Sequence, residues 1–129
     1  MIFQREACKP VSSLSAARLD RELSSVKSSF AHLTSDEGSY LQIAGGPGLF
    51  LLEYRDSAGQ HHRAMQEVAK VPFPNGTVLQ FSAGNIPMDS NEWFVRDQVV
   101  QILFAFTSRD PWPSFIQWRA LNASFSRNG

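Results

Sequence analysis

Hydrophobic positions along the chain follow two periods, and the switch between them divides the sequence into elements. Leu19, Leu23, Val26, Phe30 and Leu33 recur at i, i+4, i+7, i+11 and i+14. That spacing draws one apolar stripe on a helix, with Arg18, Arg21, Glu22 and Lys27 off it. Ser12 or Ser13 can cap its start, and Ser35-Asp36-Glu37-Gly38 stops it. The residues before it, Ile2 to Cys8, read as a short strand or a frayed end. From Tyr40 the period falls to two. Tyr40 to Ala44 is a short apolar run broken by Gly45-Gly46-Pro47-Gly48, and Leu49 to Arg55 sets Phe50, Leu52 and Tyr54 against Glu53 and Arg55. Asp56-Ser57-Ala58-Gly59 suits a hairpin loop, and Gln60 to Val68 is a third strand whose polarity places it near an edge. Pro72 and Pro74 end its pairing, because proline has no amide donor for the ladder. Asn75-Gly76 turns the chain into a fourth strand, Thr77 to Phe81.

Ser82 to Trp93 carries Gly84, Asn85, Pro87, Asp89, Ser90 and Asn91 and reads as irregular. A second helix runs from about Val95 to Ser108, with Val95, Val99, Ile102, Leu103 and Phe106 on its buried face. Asp110-Pro111-Trp112-Pro113 ends it, since a residue before proline is pushed away from helical dihedrals. A last strand, Phe115 to Leu121, alternates Ile116, Trp118 and Ala120 against Gln117 and Arg119. The expectation is an α+β fold, a mainly antiparallel sheet of about five strands with two amphipathic helices packed on one face. It forms one domain over residues 1–129, with loose ends at 1–10 and 122–129.

Composition narrows the function. Twelve basic and twelve acidic residues give a formal net charge of zero. No basic stripe marks the chain as a binder of nucleic acid. Its apolar runs are far shorter than the ~20 residues of a membrane span. The lone Cys8 forms no internal disulfide, and Met1 to Glu6 lacks the charged leader and apolar core of a secretory signal, so the expected compartment is the cytoplasm.

Candidate chemistry is sparse. His61 and His62 are adjacent on a strand, so their side chains point to opposite faces and cannot chelate one ion. Gly45-Gly46-Pro47-Gly48 lacks the Gly-Lys-Ser/Thr ending of a phosphate loop and is followed by a strand. No nucleophile elbow is present. No catalytic residue, cofactor or metal is therefore assigned. Aromatic residues are more numerous than the apolar stripes can bury. Trp93-Phe94, Trp112 and Phe115 lie in or beside irregular segments, where aromatics serve either packing under loops or partner contact.

The stretch from Trp93 to Leu121 carries a recognisable combination. A helix ends in Ala105-Phe106-Thr107-Ser108-Arg109-Asp110, Pro113 follows, and Ile116-Gln117-Trp118-Arg119-Ala120-Leu121 closes the chain's last strand. This resembles the C-terminal signature of a family of bacterial immunity proteins found beside polymorphic toxins, among them nucleic-acid deaminases and nucleases. The resemblance covers roughly the last quarter of the chain, and the middle fits in strand order alone. It implies a protein that neutralises a cognate toxin by tight complexation, as a heterodimer, with no small-molecule substrate. The neutral charge departs from the acidic character common among immunity proteins against nucleases.

The resemblance does not transfer binding residues, so these come from exposure and residue type. The segment Gly84 to Phe94 is expected to meet the toxin, with Trp93 as anchor, Phe94 and Asn85 beside it, and Asp89 and Glu92 as charged complements. The acidic turn Asp36-Glu37 is a second expected contact. Two other functions remain open. One is an adaptor or secretion chaperone that binds an effector without inhibiting it. The other is a small enzyme built around His61, His62 and Glu67.

Overall fold

The alternating segments of the middle of the chain pair with one another in chain order. In the computed structural model, which describes residues 1–6, 8–24, 30–46 and 48–121, the elements are β1 (Ile2–Arg5), α1 (Ala16–Leu23), β2 (Phe30–Thr34), β3 (Tyr40–Gly45), β4 (Leu49–Arg55), β5 (His61–Met65), β6 (Thr77–Phe81), β7 (Gly84–Met88), β8 (Phe94–Val95), α2 (Arg96–Ser108) and β9 (Gln117–Leu121). The fold is α+β, with a mainly antiparallel sheet and two helices. Strands run β1-β2-β3-β4-β5-β9 across the sheet, and every neighbouring pair is antiparallel. β5 leaves β4 after Glu53, and β8 takes its place opposite Leu49 and Phe50. β6 and β7 form a separate two-stranded hairpin.

Three expectations are corrected. The first helix is short. Ser15, rather than Ser12 or Ser13, caps it by accepting a hydrogen bond from the Arg18 amide at 3.1 Å. It ends at Leu23, and Val26 lies outside the described residues. Phe30 and Leu33 sit on β2 between β1 and β3. Ala31 and Leu33 point into the core while His32 faces the other way. A three-residue step between Phe30 and Leu33 fits a helix, but the Ala31/Leu33 alternation is that of a strand, and pairing on both sides settles it. Second, Gly84 to Met88 is a strand and not an irregular loop. Pro87 had argued against it, but β7 pairs only with β6, so its outer edge tolerates a residue without an amide. Third, the strands therefore outnumber the expected five. β5 also lies one place in from the edge, with β9 outside it.

Both faces of the central strands are covered. On one, Leu19 and Leu23 of α1 and Val99, Ile102 and Leu103 of α2 meet Leu33, Leu41, Ile43, Phe50 and Leu52. On the other, Ala44 and Leu51 are covered by Leu79, Ile86 and Met88 of the hairpin and by Trp93. Gly45 makes the tight exit from β3 possible. Its φ of +100° is open to glycine, and a Cβ there would stand 2.5 Å from the Leu49 carbonyl oxygen. Among the described residues no helix is long and apolar enough to cross a membrane.

Leu33 is fully buried on β2. Leu33→Ala should destabilise the fold by about 2–5 kcal/mol in urea titrations, the cost of an unfilled core site. A loss below about 0.5 kcal/mol would place Leu33 outside the core.

Candidate partner-binding site

The order of strands lays a row of polar side chains across the face opposite the helices. Gln4, His32, Gln42, Glu53, Arg63 and Arg119 stand directly opposite one another on successive strands from β1 to β9. The hairpin and the turn before β8 close over part of this row, and its charges are paired. Arg63 donates to Glu53 through Nε at 3.1 Å and Nη2 at 2.8 Å. Glu92, from the turn, accepts from Arg119 at 2.6 Å and lies 3.7 Å from Arg63. Its second oxygen accepts the Asp89 amide at 2.8 Å and so fixes the turn itself. Glu53 and Glu92 are 1% and 2% exposed, and each has an arginine beside it, as buried carboxylates require.

One end of this network is tied to α2. The Gln66 and Gln98 side-chain amides bond reciprocally, at 2.8 and 3.3 Å, and Gln66 also donates to the Trp93 carbonyl. Gln98 reaches back to the Val95 amide at 3.2 Å, doing half the work of a capping box, since Val95 offers no acceptor of its own.

The expected site residues divide between surface and core. Asp36, Glu37, Asn85 and Asp89 are exposed. Trp93, at 3% exposure, is buried edge-on against Phe73, and Phe94 is fully buried in the helix-side core. Glu92 is spent in the ion-pair network. These three are corrected from surface anchor and charged complement to supports of the scaffold. The physical reason is that β8 docks onto β4 at Phe50, which draws the whole Glu92–Phe94 segment inward. Asn85 on β7 and Asp89 after it stay outside, beside exposed Val78 of β6, and Val68 projects from the loop after β5.

Asp36 and Glu37 lie at the other end of the molecule, on the β2–β3 turn. There Glu37 pairs with Arg109, the residue that caps α2. Between them opens a pocket of about 240 Å³ walled by Tyr54, Phe106 and Trp112. Arg63, Arg119, Tyr54 and Arg109 were not singled out from sequence. Their roles depend on strand register and on a long-range pairing that leaves no local pattern.

His61 and His62 do face opposite sides of the sheet. His61 lies beside Tyr40, while His62 stacks on Tyr54 and bonds Asp56 at 3.2 Å. Hydrogen bonds from His62 and from the amides of Gln60 and Ala58 hold Asp56 below its ordinary value. Glu67 is exposed beyond the far end of β5 and does not join the histidines. Among the described residues no group of three or more His, Cys, Asp or Glu could hold a metal ion.

Glu92→Ala leaves Arg119 without its carboxylate and the Asp89 amide without its acceptor, while Arg63 keeps Glu53, and should cost about 1–3 kcal/mol by urea unfolding; a cost under about 0.5 kcal/mol would show that Glu92 is not what holds the turn. His32 is different. Burial lowers its pKa from the ordinary 6.5, and its Nδ1 has no hydrogen-bond partner among the described residues. The unfolded chain therefore binds its proton first, so stability should fall as pH drops below 6.5. His32→Gln should remove that part of the loss between pH 7.5 and 5, and equal losses in both proteins would exclude His32 as its source.

No protein-family model matches the chain, and no curated protein matches it significantly.

Proposed function

We propose that this protein is an immunity protein, which binds a cognate bacterial toxin in the cytoplasm of the producing cell and covers its active site. The observation that carries the reading is the use made of the family-like stretch. Phe106, Trp112 and Trp118 form one aromatic unit around Tyr54, with ring centroids 5.1–6.0 Å apart. The residues that carry the resemblance thus build a scaffold and leave the outward side chains free to suit a partner.

The interior points the same way. Its buried carboxylates Glu53 and Glu92 are engaged by arginines, and the Gln66 and Gln98 amides by each other. A binding module needs such a rigid frame, with recognition placed on the turns it holds. The surface offered consists of Asn85, Asp89, Val78 and Val68 on the hairpin side, and of Asp36 and Glu37 at the opposite end. An interface of standard size, about 800 Å² on each partner, covers one of these regions and its surroundings.

Co-expression with the toxin encoded beside it in a naive host tests the reading. The expected outcome is restored growth together with a one-to-one complex. A complex with a non-toxic effector would instead assign the protein to effector carriage, and absence of both rescue and complex would end the immunity reading. Asn85 and Asp89 substitutions should leave the urea midpoint unchanged. Trp93→Ala should lower stability by about 3–5 kcal/mol, so loss of binding in that variant reports loss of fold.

A further inference from the structure

The edges of the β-structure differ in how they are guarded. Phe3 of β1 exchanges two backbone hydrogen bonds with Val11, at 2.7 and 2.8 Å, so the chain itself covers that edge. β7 carries Pro87, which has no amide to offer a further strand, and β9 carries the charged Arg119. β6 pairs only with β7, and its sequence, Thr-Val-Leu-Gln-Phe, holds neither a charge nor a proline. Folds blunt their free edges with such residues, because an open edge is a template for another strand. β6 is left open.

The hairpin's register fixes which groups point outward. Ser82 and Ala83 form a two-residue loop between the closing pair Phe81 and Gly84, which bond each other, and bonded and unbonded pairs alternate from there. Val78–Pro87 and Gln80–Asn85 are thus the unbonded pairs, which suits a proline at 87. The amides and carbonyls of Val78 and Gln80 therefore point away from β7, and none has a hydrogen bond among the described residues. They border a groove of about 440 Å³, with Val78, Leu79 and Gln80 on one side and Gly45, Gly46 and Gly48 on the other. No residue of β7 lines it, so the groove follows the free edge. The glycine wall has no side chains to hold a second backbone away, and at Gly48 even a Cβ would meet nothing within 4 Å. No charged residue is among the described residues of its lining.

We propose that the free edge of β6 takes up an extended, uncharged segment of the protein partner, which pairs with the backbone of Val78 and Gln80 as an added strand. The proposal rests on the binding role argued above and names the form of the toxin segment that is bound. Val78 already belongs to the surface offered on the hairpin side, so the edge continues that surface. A helix cannot take this place, because its backbone groups are spent on one another. A charged side chain turned into the groove would lose its water and find no countercharge. A second copy of the chain is excluded by the layout of the groove. In a two-fold pairing each β6 would enter the other's groove, and the second copy's Gly45 and Gly46 would fall where β7 already stands. A lone segment brings no such wall with it.

The test uses the full chain, amide hydrogen exchange read residue by residue by NMR, and the blocked peptide acetyl-Thr-Val-Thr-Val-Thr-amide. In the free protein the Val78 and Gln80 amides should exchange faster than that of Leu79, which bonds across to β7. The peptide should slow both saturably, with a dissociation constant on the order of millimolar. Its counterpart with the three central amides N-methylated keeps the side chains and loses the donors, and should bind about tenfold more weakly or not at all. Pentalysine should give no protection. Val78→Pro removes one outward amide and leaves the β7 ladder alone, so it should weaken the first peptide about three- to tenfold, whereas Val78→Thr should bind as wild type does. Equal protection by the first peptide and its N-methylated form, or protection by neither, overturns the proposal whether or not Val78→Pro folds. Protection of both amides in the free protein that grows with its concentration also overturns it, and gives the edge to a second copy. A neutralising toxin complex in which both amides still exchange freely would overturn it and leave the immunity reading intact. Peptide capture without neutralisation would leave the edge standing and remove the toxin.

Discussion

β4 is buried on both faces, and the rest of the architecture answers to that. Phe50 and Leu52 face the helices while Leu51 and Glu53 face the hairpin. A strand with apolar residues on both sides must have two covering layers, and the chain supplies them from different parts of its length. α1 and α2 cover the first face. The hairpin β6–β7 and the turn before β8 cover the second. Because the second layer also closes over Glu53, the fold has to bring a cation to it. Arg63 comes from the neighbouring strand in register, and Glu92 then balances Arg63 and Arg119 together. A packing demand at Leu51 is thereby linked to an ion-pair network at Glu92 and to the conformation of the turn that carries Asp89.

This pairing changes the meaning of a neutral net charge. Arg5 and Arg18 share Glu22, Arg96 meets Asp20, and Arg63 and Arg119 share the two buried glutamates. Most arginines are therefore committed to holding elements together. At the end of the sheet where the β2–β3 turn meets the α2 cap, Glu37 pairs with Arg109 and Asp36 lies 3.9 Å from the Met1 amine. A zero sum over the chain thus reflects charges matched pair by pair at the junctions between elements.

The parts legible in the sequence are those governed by local periodicity. The strands Tyr40–Gly45, Leu49–Arg55 and Thr77–Phe81, the second helix, the last strand and the opposed histidines all follow from spacing alone. β2 was missed because Phe30 and Leu33 extend the helical stripe of Leu19 and Leu23, and two competing periods share those positions. β7 was missed because a proline inside a run signals irregularity unless the edge is known. The site fared worse for a related reason. Trp93 and Glu92 have the composition of an interface anchor, yet their burial is decided by the docking of β8 on β4, a contact between positions more than forty residues apart. The exposure of Asp36, Glu37 and Asp89 follows from local turn chemistry, while Asn85 is exposed on the outward side of β7.

Arg109 is where scaffold and surface meet, and its energetics bear on what the residue is for. An L-residue in the left-handed region costs roughly 1–2 kcal/mol, and glycine at this cap would avoid it. The return is an ion pair with Glu37 in which both side chains are more than half exposed. Exposed pairs of that kind contribute about 0–1 kcal/mol. The Schellman-like bond from the Asp110 amide to the Ala105 carbonyl is a backbone feature that glycine would keep. Stability alone thus favours glycine at 109. What only arginine supplies is a guanidinium at the edge of the pocket walled by Tyr54, Phe106 and Trp112, where it ties the α2 cap to Glu37 of the β2–β3 turn.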